Sequence, residues 1–277
     1  MTTVTFGPRN STIIPLPLPT KRNRLRRHAA RIGRALAFPA VLIALWQMIY
    51  ALGIVSPTLL PSARETLGTL IRLLASGDVL PDIGWTAIRL SGGFALAAIV
   101  GIALGLMIGM YRSLYDLLVT PIDFFRSIPV TIMYPVFVLV LGISHASKIG
   151  MVFFASVFIV ALNTAYGVAH ADPMRAQMAR LFGASASQVA RWVTFFEALP
   201  QTMIGLRISL SLSLVVEVLC EMFMGSEYGL GQRVSDAFTT YAVAQMYALI
   251  LLVGVFGFVL NRGFVWIECR LVPWKTY

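Results

Sequence analysis

Long apolar stretches follow one another along the chain, separated by shorter polar segments. A membrane-spanning helix needs about 20 predominantly apolar residues. Six stretches approach or exceed this length: 36–53, 88–110, 117–141, 149–168, 203–224 and 241–260. The third is interrupted by charged residues and by prolines, which break or kink a helix. The pattern therefore predicts an all-α polytopic membrane protein with about six transmembrane helices.

Basic residues are distributed unevenly among the segments between these stretches. If the N-terminus lies in the cytoplasm, most of the 22 lysine and arginine residues fall on the cytoplasmic side. Cytoplasmic segments of membrane proteins carry such an excess. The charge pattern therefore predicts that both termini lie in the cytoplasm.

Composition divides the chain into two parts. Residues 1–35 are basic and rich in proline, which predicts a loosely ordered cytoplasmic tail. Residues 36–277 form the predicted transmembrane domain, with a cytoplasmic loop over 169–200. In the outer loop after the first span, Ser62 and Glu65 form a capping-box pattern that starts a helix, and Gly77 ends it.

The overall composition excludes several classes of protein. Hydrophobic residues make up 58% of the chain and charged residues 12%, which excludes an ordinary soluble enzyme and a disordered chain. The sequence contains no phosphate-binding G-x-x-x-x-G-K-[ST] motif and no metal-ligand spacing. We therefore expect no ATP site, catalytic residue or metal site in this chain. The basic N-terminal stretch precedes an apolar run, so it indicates contact with membrane lipid and not with nucleic acid.

A ridge of small residues runs along the second predicted span. Gly93, Gly101, Gly105 and Gly109 recur at multiples of four residues, with Ala97 between the first two. Such a ridge allows another helix to approach closely in lipid. The pattern fits packing within one subunit, and it also fits a helix contact that moves during function.

Polar residues inside the predicted spans are candidates for a solute path or for structural contacts. They are Asp123, Arg126, Asn163, Glu217 and Glu221. Asp123 and Arg126 are three residues apart and can pair on one helix face. Glu217 and Glu221 also share a face, and their repulsion requires a basic partner, a proton or water. Arg89 and Arg126 are candidate partners for these carboxylates.

The cytoplasmic loop over 169–200 contains two short amphipathic patterns separated by Gly183. Pro173 lies near the start of the first pattern, and Pro200 follows the second. A pair of short helices on the cytoplasmic surface is suited to docking a soluble partner. A plain interfacial loop is the alternative interpretation.

This loop resembles that of ABC importer permeases, specifically the aliphatic sulfonate/taurine/nitrate/bicarbonate group. The family loop reads E-A-A-x3-G-x9-I-x-L-P. Here the aligned run extends from Gln177 through Ala179 to Gly183, and after nine residues continues from Val193 to Phe196. Ala179, Gly183 and their spacing match the family. Gln177 replaces the glutamate, Met178 replaces the first alanine, and Phe195-Phe196 replaces the closing Leu-Pro.

Further matches follow in the family's order over roughly residues 38–275. They include Leu60-Pro61-Ser62, Arg89, Gly93-Phe94, Arg126-Ser127-Ile128-Pro129, Tyr134-Pro135, Ser147-Lys148-Ile149, Asn163-Thr164, Asp172-Pro173, Ala198-Leu199-Pro200, Gly205-Leu206-Arg207, Glu221, Gly229-Leu230-Gly231 and Pro273-Trp274. The resemblance implies the type I permease fold of ABC importers, in the inner (plasma) membrane.

The resemblance also implies partners. Such a permease pairs with a second copy of itself, binds two ATPase subunits and receives solute from an extracytoplasmic binding protein. The residues implied in ATPase coupling are Gln177, Ala179, Arg180, Gly183 and Ala184. ATP and Mg would be bound by the ATPase, so no cofactor is expected in this chain. A small sulfonate-, taurine- or nitrate-like anion is the favoured solute, and an uncharged or aromatic solute is the alternative within the family.

Two other classes of function compete with this interpretation. An ion- or proton-coupled secondary transporter would need no ATPase, and could use Asp123, Glu217 and Glu221 as a relay. A membrane-embedded enzyme would need a cluster of metal ligands or a nucleophile with its base, and the sequence shows no such cluster.

Overall fold

The computed structural model describes residues 37–274, and this part of the chain is helical without any β-strand. Its α-helices are α1 (Ala37–Ala51), α2 (Ala63–Ser76), α3 (Leu80–Met110), α4 (Arg112–Ser127), α5 (Tyr134–Leu141), α6 (His145–Ala169), α7 (Pro173–Leu181), α8 (Ala186–Val189), α9 (Phe195–Met224), α10 (Leu230–Thr239) and α11 (Val243–Leu271). A 3₁₀ segment, Val130–Met133, precedes α5, and a π-helical segment, Ala190–Thr194, joins α8 to α9. The prediction of an all-α protein is confirmed.

Helix α1 belongs to a first unit that ends at Pro57, and the other helices belong to a second unit that starts at Thr58. The apolar helix α1 has 15 residues, about 22 Å at 1.5 Å per residue. It is therefore shorter than the hydrocarbon core of a bilayer, about 30 Å. The predicted span 36–53 is a shorter helix here, and the predicted tail 1–35 lies outside the described residues.

Four helices in the described part are long and apolar enough to cross a membrane. They are α3, α6, α11 and the continuous run Ala186–Met224, which contains α9. Helices α4 and α5, with the 3₁₀ segment, would supply a fifth span if they act as one broken span. The described residues thus contain four or five spans, against about six predicted from the sequence.

The third predicted span is bent by 87° between α4 and the 3₁₀ segment. The bend falls at Ile128 and Pro129. Ile128 is extended, with φ −79° and ψ 120°, because the ring of a following proline disfavours the helical conformation. Pro135 lies in the first turn of α5, where its missing N–H costs nothing.

The glycine ridge of α3 packs against α6 of the same chain. A Cβ atom added to the ridge would lie far inside the usual carbon–carbon contact of about 3.5–4.0 Å. The distances to the facing Cβ atoms would be 2.6 Å from Gly93 to Val152, 2.8 Å from Gly101 to Val160, 2.5 Å from Gly105 to Thr164 and 2.5 Å from Gly109 to Val168. Residue numbers rise together on both sides, so α3 and α6 are parallel.

Helix α9 runs antiparallel to α6. The hydroxyl oxygens of Ser156 and Ser213 lie 2.8 Å apart, and Gly205 packs against Asn163. Leu206 and Leu210 contribute to the apolar core that α9 shares with neighbouring helices.

The second unit has two ends. At one, the rings of Phe196 and Trp274 lie 6.3 Å apart, so the start of α9 and the segment after α11 are neighbours. We call this the loop end, because it carries residues 170–194. The opposite end carries residues 225–229 and the starts of α3 and α6, and we call it the network end. The loop 169–200 and the end of α11 thus lie on the same side of the second unit, as expected if both are cytoplasmic. The assignment of that side to the cytoplasm stays a prediction.

Candidate functional site

Helix α7 is defined by strong signals at both ends. The carboxylate of Asp172 accepts a hydrogen bond of 2.9 Å from the backbone N–H of Met174, and Pro173 occupies the first turn. At the other end Gly183 has φ +86°, which favours glycine. The N–H of Gly183 donates to Arg180, and that of Ala184 donates to Ala179. This pattern is a Schellman motif, which closes the helix and turns the chain towards α8.

Helix α7 presents apolar side chains to its surroundings. Leu181 is 87% exposed and Phe182 is 88% exposed, and Met174 and Met178 on the same short helix are also exposed. Of the residues implied in ATPase coupling, Gln177, Arg180 and Gly183 are exposed. The other two, Ala179 and Ala184, are half-buried. Contiguous exposed apolar side chains at one end of a molecule mark an interaction surface. We call Met174, Met178, Leu181 and Phe182 the α7 surface.

The chain re-enters the bundle through a helix of mixed type. Ser185 and Gln188 form a capping box that starts α8. The π-helical segment then carries the chain into α9 without a break. Such segments are rare and occur frequently at functional sites, because an extra residue loosens the regular hydrogen-bond ladder. Here the segment lies between α8 and the long helix α9, which contains Pro200 near its start.

At the network end, an ion pair is buried between α3 and α9. The Nη1 atom of Arg89 lies 2.7 Å from Oε1 of Glu221, and both side chains are at most 3% exposed. Glu221 also accepts hydrogen bonds from the hydroxyl of Thr86, at 2.8 Å, and from the backbone N–H of Gly231, at 2.9 Å. A buried carboxylate needs such partners to offset the loss of hydration. Of the two candidate partners from the sequence, Arg89 is therefore the one that Glu221 contacts.

We call the contacts among Thr86, Arg89, Glu221 and Gly231 the network. The network also holds residues 225–229 in place. Arg89 donates to the carbonyl of Tyr228 at 2.9 Å, and Lys148 donates to that of Gly225 at 2.9 Å. A Cβ on Gly229 would lie 2.5 Å from the carboxyl carbon of Glu221, so the close approach requires glycine. The network thereby ties together α3, α6, α9 and the segment that leads into α10.

A second pair, with a buried carboxylate and a half-buried arginine, extends the network. The carboxylate of Asp82 lies 2.7 Å from Nε of Arg233 and accepts a 2.8 Å hydrogen bond from the backbone N–H of Gly229. Asp82, Thr86, Lys148 and Arg233 are not among the partners that the sequence pattern predicts for the glutamates of α9. The one sequence signal for such a structural role is that these polar residues occur next to apolar stretches.

A cavity of about 540 Å³ opens beside the network. Its lining includes Trp85, Arg89, His145, Lys148 and Tyr228. The rings of Trp85 and His145 stack with centroids 4.6 Å apart, and Nε of Arg89 donates to Nδ1 of His145 at 2.9 Å. The cavity is therefore lined in part by Arg89 and Lys148, the two basic side chains that hold residues 225–229.

The five polar candidates from the spans do not form one site. Asp123 and Arg126 pair with each other at 3.1 Å on the exposed side of α4. Asn163 contacts Ile159 and Gln201. Among the described residues, none of these three forms a hydrogen bond or ion pair with Glu217 or Glu221.

Glu217 lies one turn before Glu221 and is fully buried. Neither of its carboxylate oxygens has a hydrogen-bond partner within the described part of the chain. The two neighbouring glutamates of α9 therefore differ, because only Glu221 is held by donors.

Comparison with known proteins places this geometry in a family. Residues 99–273 match the family described as binding-protein-dependent transport system inner membrane component. The chain is 28% identical over 240 residues to the taurine transport system permease protein TauC of Escherichia coli (strain K12). This alignment covers 85% of this chain and 87% of that protein. It is 30% identical over 185 residues to the nitrate import permease protein NrtB of Synechocystis, which covers 67% of each.

The fold is also similar to that of solved transporters. A chain of the MetNI methionine ABC transporter in an inward-facing conformation superposes with a TM-score of 0.63. The alignment covers 70% of this chain and 95% of that chain, at 19% sequence identity. At this identity the likeness concerns the fold.

Proposed function

The chain belongs to the family of binding-protein-dependent transport system inner membrane components, and we propose that it forms the solute path of an ATP-driven importer. It is a multi-pass membrane protein. In this proposal it works with a second copy of itself, two ATPase subunits and an extracytoplasmic binding protein. The loop end faces the cytoplasm, where the ATPase subunits bind.

The α7 surface is the observation that carries this proposal. Its exposed methionine, leucine and phenylalanine side chains stand on a short helix with well-defined ends. The loop that carries them joins α6 to the run that continues into α9. A partner that moves α7 could therefore displace membrane-spanning helices, as rigid-body alternation between two states requires.

A small anion is the proposed solute. Two relatives at 28% and 30% identity are named for the transport of taurine, which carries a sulfonate group, and of nitrate, which supports a solute with an anionic oxygen-bearing group. The direction, from outside to inside, rests on the family's dependence on a binding protein.

The alternative of an ion-coupled secondary transporter draws less support from the geometry. A relay through Asp123, Glu217 and Glu221 would need these carboxylates near one another. Asp123 instead forms an exposed pair with Arg126, and Glu221 is bound to Arg89.

Co-purification tests the proposal. The tagged full chain would be extracted mildly from its native host, and bound ATPase would be quantified. Phe182→Glu places a charge on the α7 surface, and we expect much less bound ATPase at an unchanged level of membrane insertion. Phe238→Glu is the matched control, because Phe238 is 67% exposed on α10 at the opposite end. An unmodified chain that purifies without any ATPase, or equal ATPase on both variants, would contradict the proposal.

A further inference from the structure

Glu197 connects the first turn of α9 with the start of α7. Its Oε2 atom accepts a hydrogen bond of 3.3 Å from the backbone N–H of Asp172, and its Oε1 atom pairs with the guanidinium of Arg175. The Glu197 side chain is only 16% exposed, whereas that of Arg175 is 67% exposed. The contact thus joins residues that are 22 and 25 positions apart in the sequence.

Asp172 and Arg175 are themselves part of the start of α7. The Oδ1 atom of Asp172 caps the helix through the N–H of Met174, and its Oδ2 atom lies 3.9 Å from Nε of Arg175. Glu197 therefore contacts more than a single flexible side chain. It contacts a backbone N–H and a side chain that both belong to the N-terminus of α7. We call Asp172, Arg175 and Glu197 the α7–α9 clamp.

The clamp is a direct contact between α7 and α9 that does not depend on the segment joining them in the sequence. Along the sequence, the route from α7 to α9 passes through the Gly183 turn, the four-residue α8 and the π-helical segment. A turn and a loosened helical ladder can absorb a displacement before it reaches α9. Glu197 lies beyond the π-helical segment, so the clamp joins α7 directly to the first turn of α9, just before Pro200.

The far end of α9 carries Glu221, which is bound to Arg89 and Gly231 in the network. The helix between Glu197 and Glu221 is continuous, although Pro200 lies within it. A continuous helix can transmit a rigid-body displacement from the loop end to the network end. The residues 225–229 respond there because the network holds their carbonyl groups.

From these contacts we infer that Glu197 is a positioning residue that passes the movement of α7 to α9 when the ATPase binds and hydrolyses ATP. The inference rests on the proposed function, because it needs an ATPase at the α7 surface. It goes further by assigning the transmission of movement to one carboxylate outside the α7 surface. Docking and transmission then depend on different residues, and a variant can lose one while keeping the other.

The test uses the full chain in lipid with its co-purified ATPase. Glu227, an exposed residue of the segment 225–229, would be replaced by cysteine as a reporter, with the exposed Cys269 replaced by serine. The labelling rate by a membrane-impermeant maleimide would be measured before and after trapping with ATP and vanadate. With an intact clamp we expect a several-fold change in that rate on trapping.

Glu197→Gln keeps the shape of the side chain and removes its charge. We expect the same amount of bound ATPase and most of the trapping-induced change to be lost. The matched control is Asp116→Asn, which removes the carboxylate of the exposed pair with Arg112, 3.4 Å apart at the loop end, and should behave as the unmodified chain. Arg175→Gln should reproduce the defect, and the double variant should be no worse than either single one, because both disable one contact.

The outcomes separate the two proposals. An unmodified chain without bound ATPase would overturn the proposed function, and with it the role of the clamp. With ATPase bound, a full labelling change in Glu197→Gln would overturn the clamp alone. So would loss of ATPase from that variant, additive defects in the double variant, or an unmodified reporter that does not change on trapping.

Discussion

The contact between α3 and α6 predicts that one methyl group is enough to destabilise the protein. Gly101 is the proposed position, and alanine is the change. The added Cβ would lie 2.8 Å from Cβ of Val160 and 2.9 Å from the carbonyl oxygen of Val157. A carbon–carbon contact needs about 3.5–4.0 Å, so the helices must separate by up to about 1 Å.

Neither helix can yield locally at this position. Three other glycines of the ridge hold the same spacing along the pair: Gly93, Gly105 and Gly109. Overpacking of such a contact typically costs about 1–3 kcal/mol. The entropy of unfolding is about 2.1 cal/mol/K per residue, so for 277 residues a change of 1 kcal/mol shifts the unfolding temperature by about 2 °C. We therefore expect Gly101→Ala to lower that temperature by about 2–5 °C.

The assay is thermal unfolding of the full chain in one detergent, followed by intrinsic fluorescence. Gly254→Ala on α11 is the control, because nothing lies within 4 Å of a Cβ added there. Alanine is favoured over glycine inside a helix by about 0.5–1 kcal/mol, so the control should be neutral or stabilised. If Gly101→Ala unfolds at the same temperature as Gly254→Ala, the argument that glycine sets the α3–α6 distance is refuted.

Two further predictions concern the network and the loop. Glu221→Gln weakens a buried pair with Arg89, and breaking such a pair lowers the free energy of unfolding by about 3–5 kcal/mol. Glu217→Gln should lower it much less in the same unfolding assay, because no described residue donates a hydrogen bond to Glu217. Equal losses would contradict this distinction. Gly183→Ala strains the φ +86° turn by about 1 kcal/mol and should reduce bound ATPase in the co-purification assay, whereas Gly263→Ala, at an open position of α11, should not. Unchanged ATPase in Gly183→Ala would remove that turn from docking.

Hydropathy located the main helices because burial in lipid imposes a strong and local requirement. Helices α3, α6 and α9 each contain a predicted span, and α11 covers all but the first two residues of the span 241–260. Of the predicted capping box, the hydrogen bond from the N–H of Glu65 to the hydroxyl of Ser62 is present at 3.1 Å, and Gly77 ends α2 with φ +78° as expected. These features depend on residues within one or two turns of each other.

The ends of the spans could not be predicted in the same way. Helix α3 starts at Leu80 and not at residue 88, because Asp82, Thr86 and Arg89 are polar but find partners in the network. Helix α11 continues to Leu271, past the apolar stretch that ends at residue 260. Helical hydrogen bonds continue through polar positions wherever the side chains are solvated or paired.

The network itself is a long-range feature. Arg89 and Glu221 are 132 residues apart, and Asp82 and Arg233 are 151 residues apart. Local spacing suggested that Glu221 needs a basic partner and offered Arg89 and Arg126 without deciding between them. Only the parallel packing of α3 and α6, with α9 antiparallel, brings Arg89 to the carboxylate.

ATP-driven uptake by the reconstituted protein tests the central claim most directly. The chain, its co-purified ATPase and its binding protein would be incorporated into lipid vesicles, with radiolabelled taurine and nitrate as probes. The account predicts accumulation that requires ATP and the binding protein and that survives the collapse of ion gradients. Accumulation by the chain alone, driven by an ion or proton gradient without ATPase, would contradict it.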